Sequence, residues 1–275
     1  MSERGDLLDF PGADELIAAG HVAPPAPAVV AAARAAVAGA AGAVAYPVLD
    51  LGDRPAASAS AAQFLNDMAD VAADSRTADA PYWKVRMETV NQDDGRMATT
   101  TFFDRAGRIW SVDADGTVHE PPAGKAGKLK KWPVGKKWLT RPALDKLPTE
   151  QKALTALFPK ADDSRFEQVA ILLEDSPASP ELRAALFRIL ADTPGVKLVG
   201  DVQDSKGRPG VAVEVTRKAG FSTGPEKGVT YWTTDRYTVA PDTGLLLETI
   251  HKIRGQDIPA DRYTWLELGP ADRVG

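Results

Sequence analysis

The alternation of apolar and polar positions is sharpest between Ser179 and Val215. Leu182, Ala185, Leu186, Ile189 and Leu190 recur at helical spacing and predict one apolar helix face. Ser179 is a suitable N-cap, Pro180 stands at the first helical position where its missing N–H costs nothing, and Glu181 suits the positive end of the helix dipole. Pro194-Gly195 stops the helix. Val196 to Val202 is strand-like, Asp204-Ser205-Lys206-Gly207 supplies a turn, and Val211, Val213 and Val215 alternate with Ala212, Glu214 and Thr216.

Period-two patterns dominate on both sides of this unit. Trp83, Val85, Met87 and Thr89 alternate with Lys84, Arg86 and Glu88. Asp93-Asp94-Gly95-Arg96 is a hairpin turn, followed by strands at Met97–Phe103, Arg108–Val112 and Thr117–His119. Helices then take over: a short one near Pro142–Leu147, one from Thr149 to Phe158, and one from Arg165 to Glu174. After Val215 the strands return at Val229–Val239, Leu245–Ile253 and Tyr263–Leu268, with Tyr231, Thr233, Asp235 and Tyr237 on one face. About eight strands with a helical block between them predict an α+β fold: a curved, mainly antiparallel sheet, half-barrel-like, with helices packed on one face.

The N-terminal region follows a different pattern. Residues 1–27 form a short mixed segment. Ala28–Leu49 is Ala-rich and helical in character, and residues 50–59 form a linker. An amphipathic helix over Ser60–Ala73 opens a domain expected to span residues 60–268, leaving 269–275 as a tail. A spanning helix needs roughly 20 predominantly apolar residues. The uncharged run Ala35–Leu49 falls short of that, and extending it includes Arg34, which near one end could snorkel. The segment therefore reads as either a membrane anchor or its remnant, or an Ala-rich soluble helix. Asp6, Asp9, Asp14 and Glu15 stand where a signal peptide has positive charge.

Composition removes several chemistries. The 275 residues include no cysteine, which excludes disulfides, thiolate metal sites and thiol nucleophiles. A net charge of -5 argues against general nucleic-acid binding. Histidine occurs only at His21, His119 and His251. Glu248 and His251 would project to opposite faces of a strand, as would His119 and Glu120, so neither is expected to act as an acid/base pair. Asp113, Asp115 and Gly116 resemble the start of a calcium loop, but the twelfth position is Gly124 rather than Glu, leaving a turn. No nucleophile elbow, phosphate loop or zinc-helix motif occurs. No metal or cofactor is expected.

Between Pro121 and Thr140 six lysines, Lys136 among them, surround Trp132 and Trp138. Three readings fit: lysines on anionic head groups with the indoles at an interface, bases stacked on the indoles, or a solvated loop whose tryptophans pack back on the sheet. The strand aromatics, Trp83, Trp110, Tyr231, Trp232, Tyr237, Tyr263 and Trp265, either line an apolar cavity or fill a closed core.

The succession Leu186…Leu190, Thr193-Pro194-Gly195-Val196, Val199-Gly200-Asp201, Asp204, Gly207-Arg208-Pro209-Gly210-Val211-Ala212-Val213 and Asp242-Thr243-Gly244-Leu245-Leu246 resembles an uncharacterised family of actinobacterial envelope proteins, often encoded near alternative sigma factors. The resemblance covers roughly Ser60 to Leu268. It implies a short cytoplasmic N-terminus, an Ala-rich membrane helix and an extracytoplasmic domain. That domain in turn resembles, by element order, the half-barrel of lipoprotein carriers and mycobacterial lipid-binding lipoproteins. The family supplies no catalytic residues. The expectation is a non-enzymatic binding or sensing module of the cell envelope with a lipid-like or other apolar ligand. The alternative is a regulatory module that contacts a signalling partner protein without a small ligand, and the third reading is a hydrolase of unrecognised type. Candidate ligand-binding residues are Trp132, Trp138 and Lys136 in the loop, where a membrane surface could also be met, and Leu182, Leu186 and Ile189 on the helix. Nucleic acid is not an expected partner.

Overall fold

Ser58 opens the first described helix because its side chain can do what the first turn of a helix needs. Its Oγ accepts from the Ala61 N–H at 3.2 Å, and helix α1 follows over Ala59–Asp74. The computed structural model describes residues 58–75, 80–91, 95–121, 129–220, 229–255 and 261–275. The Ala-rich segment 28–49 and the expected boundaries before residue 58 lie outside the described residues. No helix among the described residues is long and apolar enough to cross a membrane.

Strands β1 (Tyr82–Asn91), β2 (Gly95–Asp104), β3 (Ile109–Val112) and β4 (Val118–His119) form a meander. A small hairpin, β5 (Trp132–Val134) and β6 (Lys137–Leu139), leads to helices α2 (Arg141–Leu144), α3 (Gln151–Thr155), α4 (Asp162–Asp175) and α5 (Pro180–Ala191). Then come β7 (Lys197–Gln203), β8 (Pro209–Gly220), β9 (Thr230–Val239), β10 (Leu246–Ile253) and β11 (Asp261–Ala271). Nine strands make one open sheet in the order β4-β3-β2-β1-β11-β10-β9-β8-β7. Every neighbouring pair is antiparallel. The α+β architecture with a large antiparallel sheet matches the sequence reading, and the sheet does not close into a barrel. β11 runs past the expected boundary at Leu268 because its last residues pair with the start of β1, Ala271 opposite Tyr82. Helix α3 is capped by Glu150 rather than opened at Thr149, since the Glu150 carboxylate accepts from both Lys152 and Ala153 N–H.

Two turns are built alike. Asp104 and Asp204 each accept two backbone N–H groups on Oδ1 and the Nε of the arginine four residues on, Arg108 or Arg208, on Oδ2 at 2.6 Å. Gly107 and Gly207 take positive φ in these turns, where a Cβ is strained. The second turn does more. It bends across the face of the sheet away from the helices, where Ser205 N–H donates to Glu248 on β10 and Lys206 pairs with Glu88 on β1 at 2.8 Å. Glu88, Glu248, Thr238 and Thr264 are buried.

On the inner face the core is closed at the β7–β10 side. Phe166 and Ala170 of α4, Phe187 and Leu190 of α5, and Leu65 of α1 meet Val213, Tyr237 and Val239 around an apolar void of about 20 Å³. That is room for about one water-sized sphere. Helix α5 carries more than one apolar face: Arg183, Ala184 and Phe187 are buried as well as Leu182, Leu186 and Ile189. Arg183 reaches the backbone carbonyl of Gly244 at 3.1 Å, which satisfies a guanidinium that periodicity alone assigns to solvent.

Candidate functional site

Strand alternation places Thr233, Asp235 and Tyr237 of β9 on the inner face. Register sets His251 of β10 and Val215 of β8 opposite Asp235. Asp235 is fully buried. Its Oδ2 takes the Arg217 Nε at 2.5 Å, and its Oδ1 takes the Thr233 hydroxyl at 2.8 Å and faces His251 Nδ1 at 2.8 Å. Glu167 of α4 lies 3.6 Å from Arg217 Nη1. A carboxylate with partners for both oxygens is what burial of a charge demands.

The charges shift one another in readable directions. Burial would raise the Asp235 carboxyl, but His251, Arg217 and Thr233 outweigh it and hold it below the ordinary value. Burial would lower His251, yet the hydrogen bond and charge of Asp235 leave it raised. Glu174 of α4 is half-buried; desolvation, with His251 opposing and Asp175 and Asp235 adding, pushes its carboxyl up to about 7. Glu174 makes no hydrogen bond or ion pair among the described residues.

These shifts fix a pH dependence. Glu174 binds its proton more tightly in the native state, so its contribution falls as pH rises from about 4.5 to about 7. His251 adds stability fully below its unfolded value near 6.5, lost as pH passes its raised native value. Both slopes run the same way, while Asp235 opposes only at acid pH, below its unfolded value of 3.8. Urea denaturation should therefore show lower stability at pH 8 than at pH 5. Glu174→Gln should remove about 1–3 kcal/mol of that difference; an unchanged pH profile in this variant would refute the assignment.

Beside this cluster the inner face opens. Tyr237, Thr249, Tyr263, Thr89 and Met97 form one register row across β9, β10, β11, β1 and β2. Exposure climbs along it: Tyr237 and Thr249 are buried, Tyr263 and Thr89 half-buried, and Met97 is 42% exposed. Phe166 seals the Tyr237 end, its ring 5.3 Å from the tyrosine. Ile171 and Glu174 on α4 are half-buried, as is Met87 in the next row opposite Trp265. The result is a half-exposed strip of the inner face that ends on Met97. Two buried donors beneath it, Thr249 Oγ1 and Trp265 Nε1, have no hydrogen-bond partner among the described residues.

The residues singled out by sequence lie elsewhere. Trp132 is fully buried, stacks edge-on with Phe103 and donates its indole N–H to Asp175 at 2.7 Å, while Lys130 pairs with the same carboxylate. Trp132 thus anchors the β5–β6 hairpin to α4. Trp138 is half-buried and Lys136 exposed on that hairpin. Leu182, Leu186 and Ile189 are buried within the helical layer, and on α5 it is Phe187 and Leu190 that line the void. Glu248 and His251 project to opposite faces, one to Thr264 and Ser205, the other to Asp235. His119 pairs with Asp113 on an exposed turn. No cluster of three or more metal-ligating side chains occurs among the described residues. Arg217, Glu174 and the half-exposed row were missed. One signal pointed there: the alternation that set Asp235 among Tyr231, Thr233 and Tyr237.

No protein-family model matches the chain, and no curated protein matches it. Among solved structures it is similar to MucB in complex with MucA(peri), at 14% identity over 78% of this chain and 57% of that one, with a TM-score of 0.30. The match therefore spans little more than half of the MucB chain. A LolA superfamily protein, NE2245 from Nitrosomonas europaea, is similar at 11% identity over 78% of this chain and 94% of that one, with a TM-score of 0.20. The chain bears a weak structural resemblance to the LolA-superfamily and MucB folds, too distant to carry a function across.

Proposed function

We propose that the domain is a non-enzymatic binding module whose apolar or amphiphilic ligand lies along the half-exposed strip of the inner face on β11, β1 and β2. The supporting observation is the exposure gradient along the row Tyr237, Thr249, Tyr263, Thr89 and Met97, from the sealed Tyr237 end to the half-buried Tyr263 and Thr89 and the 42% exposed Met97. Half-exposed apolar surface beside a few convergent polar groups is the usual make-up of a small-molecule site. His251 and Asp235 resemble a general-base pair, but among the described residues His251 makes its one side-chain hydrogen bond to Asp235 and activates no hydroxyl.

Solvent extraction and mass spectrometry of the purified protein should release a bound amphiphile, and decan-1-ol should bind the stripped protein in calorimetry. Thr89→Trp, which fills the middle of the row, should weaken decan-1-ol binding at least about ten-fold, worth about 1.4 kcal/mol. An empty extract together with no decan-1-ol binding overturns the reading. A second reading, contact with a partner protein, would then stand on β7, the sheet's edge strand, where Val199 is 42% exposed and could accept an added strand.

A further inference from the structure

We propose that the face of the sheet away from the helices docks on an anionic lipid surface, where Arg96, Arg262, Arg236 and Lys218 meet the phosphate groups. Strand register carries the inference. Glu214, Arg236, Ile250, Arg262, Val90 and Arg96 form one row on that face, across β8, β9, β10, β11, β1 and β2. Arginine alternates there with the half-buried aliphatic side chains of Ile250 and Val90. The next row holds Thr216, Thr234 and Lys252, and the one after it Lys218 and Trp232. Lys218 is exposed, with its ammonium group 5.5 Å from the centre of the half-buried Trp232 ring.

On this face the carboxylates are sunk and the cations stand out. Arg96, Arg262 and Arg236 keep 66%, 31% and 32% of their side-chain surface in solvent, against 9%, 5% and 16% for Glu88, Glu248 and Glu214, the carboxylate that each approaches. Glu214 holds Arg236 at 2.7 Å. Arg262 and Arg96 stand 3.8 Å from their carboxylates, beyond hydrogen-bond length, and Glu88 is already taken by Lys206 at 2.8 Å. What reaches water here is therefore basic, on a chain whose net charge is -5. From β9 to β2 the row spans about 19 Å at the usual strand spacing. That is too long for one phosphate or carboxylate and suits a surface with anions throughout. Ile250, Val90 and Trp232 favour lipid as that surface. Aliphatic and indole groups set between cations fit the boundary of head groups and acyl chains, and each basic residue adds attraction to an anionic leaflet. A single indole offers nucleic-acid bases little to stack on.

Vesicle flotation tests the proposal independently of any ligand on the inner face. At low salt the protein should partition onto vesicles of phosphatidylcholine with about one-third phosphatidylglycerol at least about ten-fold more strongly than onto phosphatidylcholine alone, and about 0.5 M NaCl should abolish the difference. Arg96→Glu with Lys218→Glu, both on exposed side chains, should lower partitioning at least about ten-fold with an unchanged denaturation midpoint. The milder pair Arg96→Ala with Lys218→Ala should lower it about three-fold or more. Lys136→Glu, on the β5–β6 hairpin, should leave it within about two-fold of wild type. Equal partitioning onto both vesicles, or none onto either, would overturn the proposal. A loss in Lys136→Glu but not in the paired variants would move the contact to the hairpin and overturn it as well. Binding to poly-glutamate without binding to vesicles would assign the face to an acidic protein and overturn the lipid assignment.

Discussion

Asp235→Ala should lower stability by about 3–5 kcal/mol, the usual effect of breaking a buried ion pair from one side. The loss is large because the partner cannot leave. Arg217 is 6% exposed, and without Asp235 its one remaining carboxylate partner among the described residues is Glu167, at 3.6 Å. Thr233 loses the nearer of its two hydroxyl acceptors, keeping the Lys252 carbonyl at 3.3 Å, and His251 loses the carboxylate that raises its pKa. Replacing both ends with apolar side chains, as in Arg217→Met with Asp235→Leu, should lose less than Asp235→Ala alone, because no bare charge stays behind. Urea denaturation at pH 6 measures both. A loss below about 1 kcal/mol in the single variant would mean that the pair is hydrated in solution and not the anchor described here.

Leu186→Ala should cost about 3–5 kcal/mol. Leu186 is fully buried at the centre of α5, and the layer around it is closed, with a void of only about 20 Å³ to absorb relaxation. The folded fraction of this variant should nevertheless bind decan-1-ol within two-fold of wild type, since Leu186 lies away from the open row. Thr89→Trp should show the reverse: little change in denaturation midpoint and weakened binding. If Leu186→Ala stayed folded and lost decan-1-ol binding, the ligand would have to enter the helical layer, and the site would belong on α5.

How much of this was legible follows the range of the interactions involved. The α5 helix and its start could be read because Ser179, Pro180 and Glu181 act within one turn. The Asp204 turn was equally local, since its carboxylate bonds groups two and four residues away. Trp132 stayed open between an interface and a packed-back position for the opposite reason. Its lysine-rich neighbourhood points to an interface, while the group that satisfies its indole, Asp175, stands 43 residues on. The charged cluster depends on register. Arg217 and Asp235 are 18 residues apart and meet only because Val215 pairs with Asp235 on adjacent strands. Glu174 is also beyond pattern reasoning, because what sets it apart is the absence of a hydrogen-bond or ion-pair partner among the described residues.

The pairing of β1 with β11 has a consequence for how the chain is made. β1 starts at Tyr82 and its partner at Asp261, so roughly 180 residues separate them; at ribosomal rates of about 5–20 residues per second, β1 waits about 10–40 s for the strand that covers its second edge. Until then the β1–β4 meander has a free backbone edge along all ten residues of β1, while the helices and β7–β10 are still being synthesised. Nascent-chain binding factors would meet that edge before β11 is made, and β11, the last synthesised of these eleven strands, joins the two halves of the sheet.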